Sequence, residues 1–463
     1  MTRASVLKTI LALALIACSS RYYFVHVPEG FVDFRAFYCA GSAVVARADP
    51  YREHPLHECE QKIVLPGTSA LPKDLTVPAP FPGYVLALFA LLALLPFSVA
   101  VFVWIALSAI AVGAAVVLFA RATRTTIAAN AIVLGYPTVM VALPLGQVTP
   151  FILLALAGTA ALLQSNRPSW AGVAALGALL DPHVGLALWA GMFVGSPRSR
   201  SMLIAGAVAL FAIGMCVSGP QHEWEYLRFV IPAHAAANIA DGHQFSVTHF
   251  AFVTGASPTL AILLGMLWYV GALFVGIFVA CRLRRRLGIG AIAFVPTAFL
   301  VFGGTYTHLQ QLEMGVPAFL LLAAAATGVR RELYSVCTFV AAMPWLTIAC
   351  FPWLFVAPLV FSLLFTLELR TARQAIRLGV GSFLILCVIL LSIVKWHVEH
   401  RIAPPILVGN PLAEVSWQVF TLATYVPLEP WLLVAKAPTL VAFALLLAVL
   451  LRTAARRPAL VPV

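Results

Sequence analysis

The chain has 463 residues, of which 62% are hydrophobic and 10% charged. A soluble domain is nearer half apolar and a quarter charged, so an ordinary soluble enzyme, a disordered chain and a disulfide-dense miniprotein are excluded. The 29 Lys and Arg against 17 Asp and Glu give a net charge of +12, and their placement between long apolar runs marks membrane topology rather than a nucleic-acid surface. The runs are continuous rather than alternating, which points to helices and not to a barrel.

The first run is 6–24. Leu15-Ile16-Ala17-Cys18 matches a lipoprotein cleavage pattern, but Tyr22-Tyr23-Phe24 reads as the interfacial belt of an uncleaved span. In the outer segment 25–81, residues 33–47 have helical periodicity, with Phe34, Phe37, Tyr38 and Gly41 near one face, until Asp49-Pro50 stops the helix. This reads as an amphipathic helix lying on the membrane surface. Asp33 stands at its start, where position alone makes it an N-cap. The stretch 82–120 is too long for one span; a juxtamembrane segment 82–96 ending at Pro96, then a single span 98–120, puts every later basic loop on one side. Runs at 126–144 and 150–164 follow. The stretch 169–195 is interrupted by Asp181-Pro182-His183 and reads as a hairpin, which keeps Arg167, Arg198 and Arg200 together. Further runs lie at 201–218, 258–281, 288–303 and 314–328, then a hairpin 333–367 turning near Cys350-Phe351-Pro352, then 378–394 and 431–451.

The expected architecture is an all-α polytopic membrane protein of about fourteen helices (range 11–14), with both termini cytoplasmic and outer segments at 25–81, 219–257 and 395–430. Inner segments then hold 19 Lys and Arg and two acids, and outer segments nine Lys and Arg and 15 acids. All 11 histidines fall at or near the outer face. Side chains suited to chemistry therefore face outward. Six of the eight cysteines lie in or at the ends of spans; Cys39 and Cys59 share the first outer segment, and in an oxidising compartment such a pair bridges.

These residues carry a resemblance. Asp33-Phe34-x-x-Phe37-Tyr38-x-Ala40-Gly41 followed by Asp49-Pro50-Tyr51 resembles the first outer loop of glycosyltransferase family 87, the polyprenol-phosphate-sugar-dependent, α-1,2-mannosyltransferase-like members of the GT-C superfamily. Gly146-Gln147, the apex ending Pro182-His183, Gln244-x-Ser246-Val247 and Tyr306-x-His308 with Glu313 follow in the family's order, over roughly 1–330. At two positions the chain departs from the pattern. The family's Lys before Pro182 is Asp181, and Leu309-Gln310-Gln311 lacks the family's acid.

The resemblance implies a GT-C-like catalytic module over 1–330, additional helices over 331–463, and transfer of a mannose-like hexose from a polyprenyl-phosphate donor to an extracytoplasmic glycan or glycolipid, with inversion. It implies a bacterial inner-membrane location with the site facing the periplasm. Such a transfer needs a base for the acceptor hydroxyl, for which Asp33 and His308 qualify. It also needs donors for the leaving phosphate and contacts for the substrates. Arg35, Tyr38, Gln147, Asp181, His183, Arg228, His243, Gln244 and Glu313 are the residues expected there. No Asp-x-Asp motif requires a metal, no cofactor is implied, and His54/His57/Cys59 lacks zinc spacing. Plainer readings stand beside these: Gln147 and His308 as helix-end partners, and Asp181 as a cap with Pro182 in the first turn. The run Arg282-Leu283-Arg284-Arg285-Arg286 is a topology determinant on anionic lipid. The alternatives are a transporter, for which Asp181 and Lys436 are the charges near or within spans, and a noncatalytic relative.

Overall fold

The structure is a computed structural model, and it describes residues 3–26, 30–65, 71–361 except 352, 353, 355 and 359, then 403–425 and 430–456. Among these residues every regular element is helical. Five helices are long and apolar enough to cross a membrane: Phe97–Thr123, Ile127–Leu145, Pro197–Val217, Pro258–Leu287 and Leu432–Ala455. Shorter apolar helices lie at Gly83–Leu92, Thr149–Gln164, Pro168–Leu180, Pro182–Gly195, Ala291–Leu300 and Leu309–Ala325. At 1.5 Å per residue these cover part of a hydrocarbon core of about 30 Å. The expected count of about fourteen includes 378–394 and most of the second arm of 333–367, which lie outside the described residues.

Proline sets several of the breaks. Pro96 precedes the 27-residue helix Phe97–Thr123 and separates it from Gly83–Leu92. Asp181-Pro182 separates Pro168–Leu180 from Pro182–Gly195. Pro344 ends the helix Gly328–Ala342 before the turn expected near Cys350.

Depth of burial separates the spans. Pro197–Val217 is 11% buried over its apolar window and Ile127–Leu145 is 83% buried. The first is therefore peripheral and the second central. The central one alternates between α-helix and the wider π-helix, at Ala131–Gly135 and Thr138–Ala142. Pro258–Leu287 exposes Leu263, Leu267, Phe274 and Phe278 on one side. Its buried side carries Gly276, where a Cβ would stand 3.0 Å from the Pro296 backbone. Small residues at that face let two backbones approach, as in membrane helix pairs.

The helix expected at 33–47 on the membrane surface is Val32–Val45, and it is enclosed instead. Phe34 and Phe37 are buried, and so are Arg35, Ala36, Cys39, Ala40 and Ala43 on the remaining sides. Nearly all its faces are apolar or small, which suits an internal helix rather than an interfacial one. Gly41 permits its closest approach, because a Cβ there would collide with the backbone of Phe89. Cys39 and Cys59 form a disulfide, Cα–Cα 5.7 Å, that ties this helix to Glu53–Lys62.

The three polar segments lie together. Glu53 N donates to Pro411 O (2.9 Å), Ala413 N to Tyr51 O (2.9 Å), and His54 N to Asn410 Oδ1 (2.9 Å). Gln418 and Thr421 donate to the carbonyls of Ala236 and Ala237. Residues 403–425 thus strap both earlier segments.

Candidate functional site

Asp33 is positioned by the turn that follows the central span. Phe31 adopts a left-handed conformation, φ 62°, and its N–H donates to Pro144 O at 2.7 Å. Gly146 turns the chain with φ 78°; a Cβ there would collide with the Cβ of Phe34, so glycine is required twice over. Trp104 Nε1 donates to Gly146 O at 2.9 Å and fixes the turn. The turn delivers Gln147, whose Nε2 donates to Asp33 Oδ2 at 2.5 Å. Asp33 is not the cap that its position suggested. The N-cap is Phe31, and no side chain caps this helix. Burial pushes Asp33 up to about 6, against the opposing hydrogen bond from Gln147.

The second group gathers at the hairpin apex. Asp181 Oδ1 accepts from His183 N at 3.1 Å, capping Pro182–Gly195 as the plainer reading has it. Its Oδ2 accepts from Gln311 Nε2 at 2.8 Å. The His183 ring stacks between Tyr269 (5.1 Å) and Tyr306 (5.2 Å), with Nε2 2.9 Å from Gly303 O. His234 meets Tyr306 edge to face at 4.6 Å, and burial lowers it to about 3. It is therefore a neutral imidazole in the wall.

Gln244 and His308 face each other. The Gln244 amide is oriented by Thr307 N donating to Oε1 at 2.6 Å, so its Nε2 donates to His308 Nε2 at 2.9 Å. Burial lowers His308 below the ordinary histidine range. Its Nε2 lone pair is thus already engaged. Asp241 Oδ2 lies 3.9 Å from His308 Nδ1, and its Oδ1 accepts from His243 N (2.9 Å) and lies 3.0 Å from His243 Nδ1. Burial would raise Asp241, but the His243 hydrogen bonds outweigh it and keep the carboxylate ionised. Behind this layer, Lys436 is fully buried in the last span; its Nζ donates to Gln244 O at 2.6 Å and sits 3.4 Å from His249 Nε2.

A third cluster joins Asp49, Arg52, His222 and Glu225. Arg52 bonds both Asp49 (3.3 Å) and Glu225. The Tyr51 ring stacks on Tyr226 at 6.1 Å, and the Asp181 charge acts on Tyr226, so this cluster adjoins the apex.

The remaining expected residues lie apart from these groups. Arg35 is 1% exposed, and its charge acts on Glu60 inside the first polar segment. Tyr38 OH donates to Leu95 O at 2.8 Å. Arg228 is exposed, over the Phe229 ring at 5.3 Å. Glu313 is enclosed and accepts from Thr138 Oγ1 at 2.5 Å. His57 lies 3.0 Å from Thr76 Oγ1, and Cys59 is in the disulfide, so the His54/His57/Cys59 group is taken up by other bonds. Sequence reasoning passed over His234, Asp241, Glu225 and Glu414, and saw Gln311 only within a stretch lacking an acid. For Lys436, a lone charge within an apolar run was the available signal.

No curated protein and no solved structure matches the chain. Residues 81–303 match the family model described as Glycosyltransferase family 87. That segment carries Gln147, Asp181, His183, Arg228, His243 and Gln244, and stops short of Asp33 and His308. Its apolar helices and this match together make it a multi-pass membrane protein. Over residues 81–303, just under half of its length, the chain is similar to glycosyltransferase family 87, and the match indicates a membrane glycosyltransferase.

Proposed function

We propose that the chain transfers a hexose, mannose-like, from a polyprenyl-phosphate donor to a glycan or glycolipid acceptor at the outer face of a bacterial inner membrane. The acceptor hydroxyl oxygen attacks the anomeric carbon as the carbon–oxygen bond to phosphate breaks, inverting the centre. The hydroxyl proton passes to Asp33, and polyprenyl phosphate leaves. A lipid-linked donor suits a chain whose described residues are helices with no Gly-rich phosphate loop.

The observation that carries this reading is the Asp33–Gln147 pair. A general base works best with a pKa near the working pH, and Asp33 is raised to about 6. Gln147 holds one carboxylate oxygen at 2.5 Å and leaves the other to accept the proton. His308 suits the role less well, because Gln244 already engages its Nε2. Among the cations expected to meet the leaving phosphate, Arg228 is exposed and His243 is half-exposed.

The test is transfer from radiolabelled polyprenyl-phosphate sugars by the purified protein. Asp33→Asn should fold normally and lose 10²–10⁴-fold in rate, roughly the range for loss of a general base. Near-normal transfer by folded Asp33→Asn would exclude Asp33 as the base. Transfer from a nucleotide sugar with no lipid donor would exclude the lipid-linked donor.

A further inference from the structure

Asp49, His222 and Glu225 come from two polar segments, and each offers a ligand atom within 4.8 Å of the others. Their neighbours orient them. Asp49 Oδ1 accepts from Tyr51 N at 2.9 Å, which fixes the carboxylate. His222 Nδ1 lies 2.6 Å from Ser218 O; a carbonyl only accepts, so Nδ1 carries the hydrogen. The Nε2 lone pair is then left on the side of Asp49 Oδ2, 3.9 Å away and too far for a hydrogen bond. A metal-binding histidine is held in this manner, one ring N–H on a carbonyl and the other nitrogen toward the ion. The carboxylates of Asp49 and Glu225 lie within 4.8 Å of each other. Two carboxylates share a site only with a proton or a cation between them.

A third carboxylate stands behind this group. Glu414, from the strap 403–425, is 1% exposed, and its Oε2 has no hydrogen-bond partner among the described residues. The charges of Asp49, Glu225 and Arg52 all act on it. A buried carboxylate oxygen with no donor is costly unless something positive answers it. Arg52 answers Asp49 and Glu225 from the rim, where its side chain is 36% exposed.

We propose that Asp49, His222 and Glu225, backed by Glu414, form a binding site for a divalent first-row cation, Mn2+ or Zn2+, which displaces the Arg52 guanidinium and ties the three polar segments together. One imidazole with carboxylates suits these ions better than Mg2+ or Ca2+, which prefer oxygen alone. The site is separate from the Asp33–Gln147 pair and does not depend on the proposed chemistry there.

The test uses the full-length protein purified in detergent and stripped with chelator. MnCl2 is titrated by electron paramagnetic resonance and ZnCl2 by calorimetry, with the thermal midpoint followed in parallel. One ion per chain and a raised midpoint are expected. Asp49→Asn, Glu225→Gln and His222→Gln should each weaken binding by roughly 10–100-fold. Arg52→Met should tighten it, because the competing guanidinium is gone. The wild-type titration decides on its own even where a variant folds poorly. Lack of saturable binding of both ions in the wild-type protein, or binding unchanged in folded Asp49→Asn, overturns the proposal.

Discussion

Asp181 and Gln311 are 130 residues apart in sequence and joined by a 2.8 Å hydrogen bond. Asp181 and the stretch Leu309-Gln310-Gln311 are also where the sequence reads as departing from the pattern it resembles. In this chain the amide donates and the acid accepts. Asp181→Asn keeps one oxygen for the cap but turns its amide NH2 toward the Gln311 Nε2 donor, so it should lose part of the stability. Asp181→Ala loses the cap, worth about 1 kcal/mol. It also strands the buried Gln311 amide, at about 1–3 kcal/mol. In thermal unfolding Asp181→Ala should lose more than Asp181→Asn, and the Asp181→Ala/Gln311→Leu pair should recover part of the Asp181→Ala loss. Equal stability of all three would show that the contact carries nothing.

Activity and stability should respond to acid in opposite directions at Asp33. The base must be ionised, so the rate should fall as pH drops through about 6. A carboxyl raised above its ordinary 3.8 favours the folded state most when protonated. Its contribution is present below about 4 and is lost as pH rises through about 6. A pH–rate profile beside a pH series of unfolding midpoints in wild type and Asp33→Asn separates the two. An acid limb that persists unchanged in a residually active Asp33→Asn would assign it to another group.

Lys436 reaches the site from a span beyond the family match. Lys436→Met should leave the helix intact while removing the donor to Gln244 O, which then loosens Gln244 against His308. The expected cost is about 1–3 kcal/mol in stability, the usual range for an unsatisfied buried group. Lys436→Arg should not restore it, because Nζ is enclosed between the Phe245 and Phe250 rings at 5.3 and 5.7 Å. Unfolding midpoints measure both variants, and a neutral Lys436→Met would remove the lysine from this account.

The Cys39–Cys59 bridge closes a loop with a sequence separation of 20. Its removal in Cys39→Ser/Cys59→Ser should cost about 3 kcal/mol in the chain-entropy model. Reduction of the wild-type protein should lower the unfolding midpoint to that of the double variant, and an unchanged midpoint would refute the contribution.

What could be read from the sequence was local chemistry. The breaks at Pro96 and at Asp181-Pro182 follow from proline's missing N–H, and the Asp181 cap from its neighbours. The motif order named Asp33 and Gln147, yet nothing in either motif says that they touch across 114 residues. The helix Val32–Val45 was misplaced for a physical reason. Its Phe34–Gly41 face is apolar, but Ala36, Ala40 and Ala43 make the other sides nearly as easy to bury, so one stripe did not distinguish lipid from protein. Gln311 lay in a stretch read as lacking an acid, and its contacts with Asp181 and with His308 N give it a role. Glu414 carries no motif, because its neighbours come from segments some hundreds of residues away.

The strap over the first polar segment also has a meaning in time. His54 and Asn410, which exchange two hydrogen bonds, are separated by 356 residues. At about 5–20 residues per second, the backbone at Tyr51–His54 leaves the ribosome roughly 20–70 s before its partner exists. Throughout that interval Glu53 N and Tyr51 O have no Pro411 or Ala413 to meet. The earliest polar segment to be made is therefore among the last to be finished, and a stall in synthesis before residue 403 leaves its edge open to any protease or chaperone that reaches it.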